Sequence, residues 1–194
     1  MKLIITTIAL LSFGFSQMGI TLHGGFGMNN IGGDATEGME AKMKTGLHIG
    51  VSKQLMENCI VGVGYTQRGS KMTPEATGDA LVDALLEAME MEYSMDYLDL
   101  YALYPIPVEL PVMLIAGLNV GINVKSEVSF MGEAVDMSED TESLDYGLLL
   151  GGSYPINETM SVSAGYYLGL ANFTGESEVT GTHNSIWTMF NYNL

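Results

Sequence analysis

The chain has 194 residues, with 23 Asp and Glu against 7 Lys and Arg and a formal charge of −16 at pH 7. That length fits one domain, and the acidic balance excludes nucleic acid as a partner, because phosphate binding needs clustered Lys and Arg. After the opening segment no run of 18 or more apolar residues occurs, so no helical membrane span is expected. The single cysteine, Cys59, allows no internal disulfide.

Residues 1–16 have the form of a secretory signal peptide. Lys2 supplies the positive start, Leu3 to Phe15 the short apolar stretch, and Gly14-Phe15-Ser16 the small-residue cleavage site. No cysteine follows that site, so no lipid anchor is expected. The mature chain, 17–194, then alternates between apolar and polar residues, which is the period of a strand with unlike faces. Eight such segments are predicted, each close to the ~9–11 residues of a tilted membrane strand.

The first, 18–28, turns Met18, Ile20, Leu22, Phe26 and Met28 outward, and the second, 43–52, turns out Leu47, Ile49 and Val51. The third, 59–69, shows Cys59, Val61, Val63 and Tyr65; the fourth, 93–104, shows Leu98, Leu100, Ala102 and Tyr104. In the fifth, 112–124, every second residue from Val112 to Val124 is apolar. The sixth, 144–154, presents Tyr146, Leu148, Leu150 and Tyr154, and the seventh, 160–170, presents Met160, Val162, Ala164, Tyr166, Leu168 and Leu170. The eighth runs to the end of the chain, with Ile186, Thr188, Phe190, Tyr192 and Leu194 on one face and Trp187, Met189, Asn191 and Asn193 on the other.

The opposite face is rich in glycine, serine, asparagine and histidine, unlike a soluble core. These residues suit the inside of a small barrel, which is only wide enough for side chains to fill. Inward glycines would make room for Tyr97, Tyr101, Tyr167 and Trp187, leaving a packed or sparsely hydrated interior. Lys53–Asn58, Pro105–Pro111 and Pro155–Thr159 read as short turns; 30–42, 70–92, 125–143 and 171–184 read as long loops that hold most of the acid. Short turns on the periplasmic side and long loops outside are the asymmetry of an outer-membrane barrel. The fold class is therefore all-β: an eight-stranded antiparallel up-and-down transmembrane β-barrel. Within the second loop, 78–92 has apolar residues at helical spacing. It would form either a lid or docking helix, or a short helix packed on the barrel rim.

In pattern and short motifs the chain resembles the outer membrane protein β-barrel domain family, the small "porin family" barrels of Gram-negative envelopes. The resemblance covers 18–194 and is carried by Gly24-Gly25-Phe26-Gly27-Met28-Asn29-Asn30-Ile31, Thr45-Gly46-Leu47-His48-Ile49-Gly50, Tyr65-Thr66-Gln67-Arg68-Gly69, Asp145-Tyr146-Gly147-Leu148-Leu149-Leu150-Gly151 and Tyr166-Tyr167-Leu168-Gly169-Leu170-Ala171-Asn172-Phe173. Two departures stand out: Gly165 replaces an inward Arg common in the family, and Leu194 replaces a terminal aromatic. The resemblance implies residence in the outer membrane, with lipid and lipopolysaccharide as surroundings and the insertion machinery as a partner of the last strand. It implies no reaction.

Six inward residues are the site candidates: His23, His48, Arg68, Asp99, Asp145 and Trp187. His23 and His48, facing each other on adjacent strands, could begin a metal site, but no third ligand stands beside them, and polar packing is the expectation; no cofactor is expected. Arg68, the sole arginine, needs a partner in a narrow interior, either Asp99 on the next strand or Asp145 across the barrel. That bridge would be structural or, in the alternative, a gate or ligand clamp. His183 falls in the last loop and is expected to be solvated. With Ser185 it is the one Ser/His neighbourhood, and a lipid enzyme would require the two to be hydrogen-bonded with an acid orienting the ring. Asp136 to Glu142 is an oxygen-rich run lacking the glycine and spacing of an EF-hand, expected to be a solvated loop. The function read from all this is envelope structure or surface interaction through the external loops, with no catalysis. The alternative is a narrow conduit for small solutes or cations, fed by cations that the acidic loops concentrate.

Overall fold

The computed structural model describes residues 19–139, 141–174 and 179–194. The expected signal peptide, Met18, Asp140, Glu176 and Glu178 lie outside them. The elements are β1 (Ile20–Gly32), β2 (Met39–Met56), β3 (Cys59–Pro74), helix α1 (Ala80–Glu87), β4 (Met91–Ile106), β5 (Met113–Phe130), β6 (Glu133–Asp136), β7 (Leu144–Pro155), β8 (Met160–Gly169) and β9 (Thr182–Asn193).

The sheet closes on itself. Each long strand pairs antiparallel with its neighbours, β1 pairs β9, and β4 pairs β5. The result is an eight-stranded up-and-down barrel, with β6 a short return strand hydrogen-bonded to the outer end of β5. Closure leaves no sheet edge, so every wall N–H and C=O finds a partner without water, the condition for crossing lipid. Rows of apolar side chains meet across strands on the outer surface, such as Leu22 beside Val51 and Phe26 beside Leu47. Leu100 beside Val120 and Leu118 beside Leu148 continue the belt.

The short turns fall at one end, between Met56 and Cys59, Ile106 and Met113, and Pro155 and Met160. At the other end the expected long loops begin as strand, end as strand, or both. β1 runs on to Gly32, β2 begins at Met39, β3 continues to Pro74, β4 begins at Met91 and β5 reaches Phe130. The backbone N–H and C=O groups of these segments are paired by the neighbouring strands. Their side chains also alternate, but in the reverse sense. Ile31, Met72, Met95 and Tyr97 point inward and are buried together with Phe173, and Met39 and Tyr93 pack against them. Outside the same rows, Lys44 pairs with Glu92 and Lys71 with Glu90.

In β1, β3 and β4 the inward parity is unbroken and only the residue types change, whereas β2 and β5 shift register at this level: β2 has an extra residue between Met43 and His48 against β3, and β5 has one at Asp96/Tyr97 against β4. A bulge of this kind flips the facing of everything beyond it. In β5 it carries the buried inner row from Asn119 and Gly121 to Ser126.

The helix in the second long connection starts at Asp79, whose carboxylate accepts from the N–H groups of Leu81 and Val82, a side-chain N-cap. It touches β3 only lightly. None of its residues is buried, and Leu81 and Leu85 are 75% and 64% exposed.

Candidate functional site

The interior is built in layers along the barrel axis. At its middle lies Arg68, 4% exposed on β3. Its Nη2 donates to both oxygens of Asp99 on β4, at 2.7 and 2.9 Å, and its Nη1 donates to Asp145 on β7 across the barrel. The two acids offered by the sequence as alternatives are thus both used. The guanidinium plane is held between the rings of Tyr97 and Tyr167, at 4.5 and 4.6 Å from their centroids. Asp99 also accepts from Thr66 Oγ1 at 2.6 Å and Asn119 Nδ2 at 3.0 Å, and Asp145 from the Tyr167 hydroxyl at 3.0 Å. One guanidinium faces two carboxyl groups, so the cluster's formal charge is −1 with both acids ionised.

The two histidines on β1 and β2 are close but not opposite. His23 pairs across the ladder with Gly50 and His48 with Gly25, so the rings meet diagonally and stack, with centroids 5.2 Å apart. Stacked rings do not aim their nitrogens at one point. His23 Nε2 shares a hydrogen bond of 3.0 Å with the Tyr101 hydroxyl, and His48 Nδ1 one of 2.7 Å with Thr66 Oγ1. Among the described residues no set of three His, Cys, Asp or Glu converges as a metal site.

Inward glycines provide the room these side chains occupy. A Cβ on Gly121 would stand 2.6 Å from Asp99 Oδ1, one on Gly147 2.7 Å from Tyr167, and one on Gly151 2.8 Å from the indole of Trp187. Gly165, where the family resemblance led one to look for an arginine, faces the same indole. Trp187 fills that space and packs with Ile115 and Tyr167 below the ion-pair layer, flanked by Leu103, Leu149 and Met189.

His183 is not solvated. It is 1% exposed, stacked on Phe173 at 4.5 Å, and its Nε2 shares a hydrogen bond of 3.1 Å with the Tyr97 hydroxyl. It lies in the apolar layer at the outer end, because β9 starts at Thr182 and carries it into the wall. Its hydrogen-bond partner is Tyr97, not Ser185, and its Nδ1 has none. The Ser/His geometry a hydrolase requires is therefore not met here.

Beneath the ion-pair layer a cavity of about 340 Å³ reaches down to the short-turn end. Its mouth is marked by Thr21, Gln54, Glu57 and Pro105, and its inner end by Asn29, Arg68 and Asp99. The buried outer residues Ile31, Met72, Met95, Tyr97, Phe173 and His183 are not part of its wall. The lumen is thus open at one end and stoppered at the other. On the exterior, Asp136 accepts from the Ser138 N–H at 2.8 Å. That residue's hydroxyl and N–H together hold Asp136 below the usual carboxylate range.

The closed eight-stranded wall with a polar, glycine-lined interior defines a small outer-membrane barrel. Residues 15–175 match the family model described as outer membrane protein beta-barrel domain, and the chain belongs to that family. Among solved structures it is similar to Neisserial surface protein A, at 13% identity and a TM-score of 0.60, covering 90% of this chain and 97% of that one. It is also similar to Ail, the attachment invasion locus protein of Yersinia pestis, at 12% identity and a TM-score of 0.49, with coverage of 90% and 97%. A third likeness is to OprG from Pseudomonas aeruginosa, at 17% identity and a TM-score of 0.38, with coverage of 91% and 96%. No curated protein matches.

Proposed function

We propose that this barrel, delivered by a cleaved signal at 1–16, works as a surface-interaction and structural protein of the Gram-negative envelope. Its outer rim is the working part. The observation that carries this reading is the contrast between a stoppered lumen and an unsatisfied rim. The outer end of the interior is filled by Ile31, Met72, Met95, Tyr97 and Phe173, whereas Leu81, Leu85 and Met89 stand in water above it. Acidic residues Glu75, Asp79, Asp83, Glu87 and Glu90 surround that apolar stripe. A partner suited to it would be cationic and amphipathic, and the exposed apolar area supplies the gain on binding.

The conduit reading has the lower cavity in its favour and the apolar stopper against it. Single-channel recording of the refolded protein in a planar bilayer separates the two. The expected record is silent for wild type, with openings appearing when Met72 and Met95 are both replaced by serine. Steady cation-selective openings in the wild type would transfer the function to conduction.

A further inference from the structure

We propose that the lower half of the barrel is a periplasm-facing binding pocket for a small organic cation, a primary ammonium carried on an apolar body. Three observations converge on it.

The first is hydrogen-bond accounting. The Thr66 hydroxyl has one proton, and it goes to Asp99 Oδ2. The 2.7 Å contact between Thr66 and His48 Nδ1 must then use the proton of His48. In the neutral ring this fixes Nε2 as a bare acceptor, and that atom is buried without a partner in a side chain 8% exposed. Asn29 adds a second. The two protons of its Nδ2 are shared among the carbonyls of Gly27, Lys44 and Gln67, at 3.1 to 3.3 Å on three strands, which assigns Oδ1 as the unpartnered atom. Both residues line the cavity. Unpaired buried acceptors cost stability until something donates to them.

The second is charge. Arg68 is the cavity's single permanent cation, facing Asp99 and, behind it, Asp145, with Glu57 at the mouth. A narrow passage with low-dielectric walls focuses this excess, concentrating cations and excluding anions. The third is shape. The cavity lies within the range of small-molecule sites, with an apolar wall from Leu103, Ile115, Leu149, Met189 and Trp187 set among hydroxyl and amide side chains. An ammonium seated at His48 would place its apolar body along this wall, where an indole face also attracts cations.

The short turns mark the mouth as periplasmic, so the ligand arrives from within the envelope. This site is separate from the outer rim, and either can fail without the other.

Trp187 is the only tryptophan of the chain, so its emission reports on the pocket directly. The mature protein in phosphatidylcholine nanodiscs is titrated with benzylammonium, benzyl alcohol and benzoate, which share a ring and differ in charge. The expected result is a saturable emission change with benzylammonium, at least about tenfold weaker binding of benzyl alcohol, and no response to benzoate. His48→Leu should abolish the benzylammonium response, with folding checked by circular dichroism. Glu57→Gln, in an exposed turn, keeps the test alive if His48→Leu misfolds, and should weaken binding by about two- to threefold at low salt. A linear response, or equal responses to all three probes, would be partition into lipid and would overturn the proposal. Benzoate binding as tightly as benzylammonium would overturn it too.

Discussion

The same strands run through two regions that solve opposite problems. Between the short turns and Arg68 the wall is apolar outside and polar inside: Leu22, Leu47, Leu100 and Leu118 face out, and His23, Asn119 and Ser163 face in. Beyond Arg68 the sense reverses, with Ile31, Met72 and Met95 inside and Lys44, Glu90 and Glu92 outside. In the first region lipid is the apolar solvent and the interior must satisfy itself by hydrogen bonds. In the second, water surrounds the wall and the interior is an ordinary hydrophobic core. Arg68 sits at the boundary: in β1, β3 and β4 the inward parity runs straight through it and the residue types change, while β2 and β5 each take up an extra residue there.

The largest test of this comparison is removal of the boundary charge. Arg68→Met leaves Asp99 and Asp145 buried without a cation and should cost about 3–5 kcal/mol, read from urea unfolding in detergent or as failure to refold. Adding Asp99→Asn and Asp145→Asn to that variant removes the stranded charges and should recover most of the loss. A single variant as stable as wild type would mean that the carboxylates are already neutral or hydrated, and the layer would no longer divide the two regions.

The membrane region was legible because lipid leaves a strict signature. From Val112 to Val124 and from Met160 to Leu170 every outward position is apolar, and an alternation of that length has one reading. The inward set His23, His48, Arg68, Asp99, Asp145 and Trp187 could be named for the same reason, since parity places the residues between. The rim was not legible. Met91-Glu92-Tyr93-Ser94-Met95 also alternates, but its charges read as loop when only lipid-facing strands are sought. Parity also fails across a bulge, which no local residue pattern announces in β5. Ile31, Met72 and Phe173 fall in segments read as loops, and Met95 at the start of the fourth strand, so the inward parity that Ile31, Met72 and Met95 share with His23, Arg68 and Asp99 goes unused there, and His183 is expected in water. The signal available was the alternation itself, reversed in sense beyond the last apolar outward residue. Helix α1 was visible from its apolar spacing, but spacing cannot tell whether a stripe finds a neighbour.

A smaller effect sharpens the account of the lower lumen. Gly165→Leu drives a side chain into the indole of Trp187, which has no spare volume on that side. Overpacking of this kind should cost about 1–3 kcal/mol and shift the Trp187 emission, as heat or denaturant titration and fluorescence would show. The same change at Gly38, an exposed turn with a φ of 73° and open space around it, leaves the emission unchanged. If Gly165→Leu were silent in both readouts, the space would be unfilled and the lower lumen looser than its aromatic packing indicates.

The smallest effect belongs to the rim, where charges face water. Glu92 is held below its ordinary value of 4.5, first by the hydrogen bond from Lys44 and then by the charges of Lys44 and Lys71. A carboxyl whose folded value is depressed stabilises the fold above its unfolded value and loses that contribution as the pH falls through the folded one. The pair's side chains are 16% and 38% exposed, so solvent screening limits the gain to about 0.5 kcal/mol or less. Wild type and Glu92→Gln should therefore differ slightly in unfolding midpoint at pH 7, and the difference should vanish at pH 3 and in molar salt, which screens exposed pairs. A difference that survived both conditions would show Glu92 acting through packing, and the rim would resemble the ion-pair layer below it more than its exposure suggests.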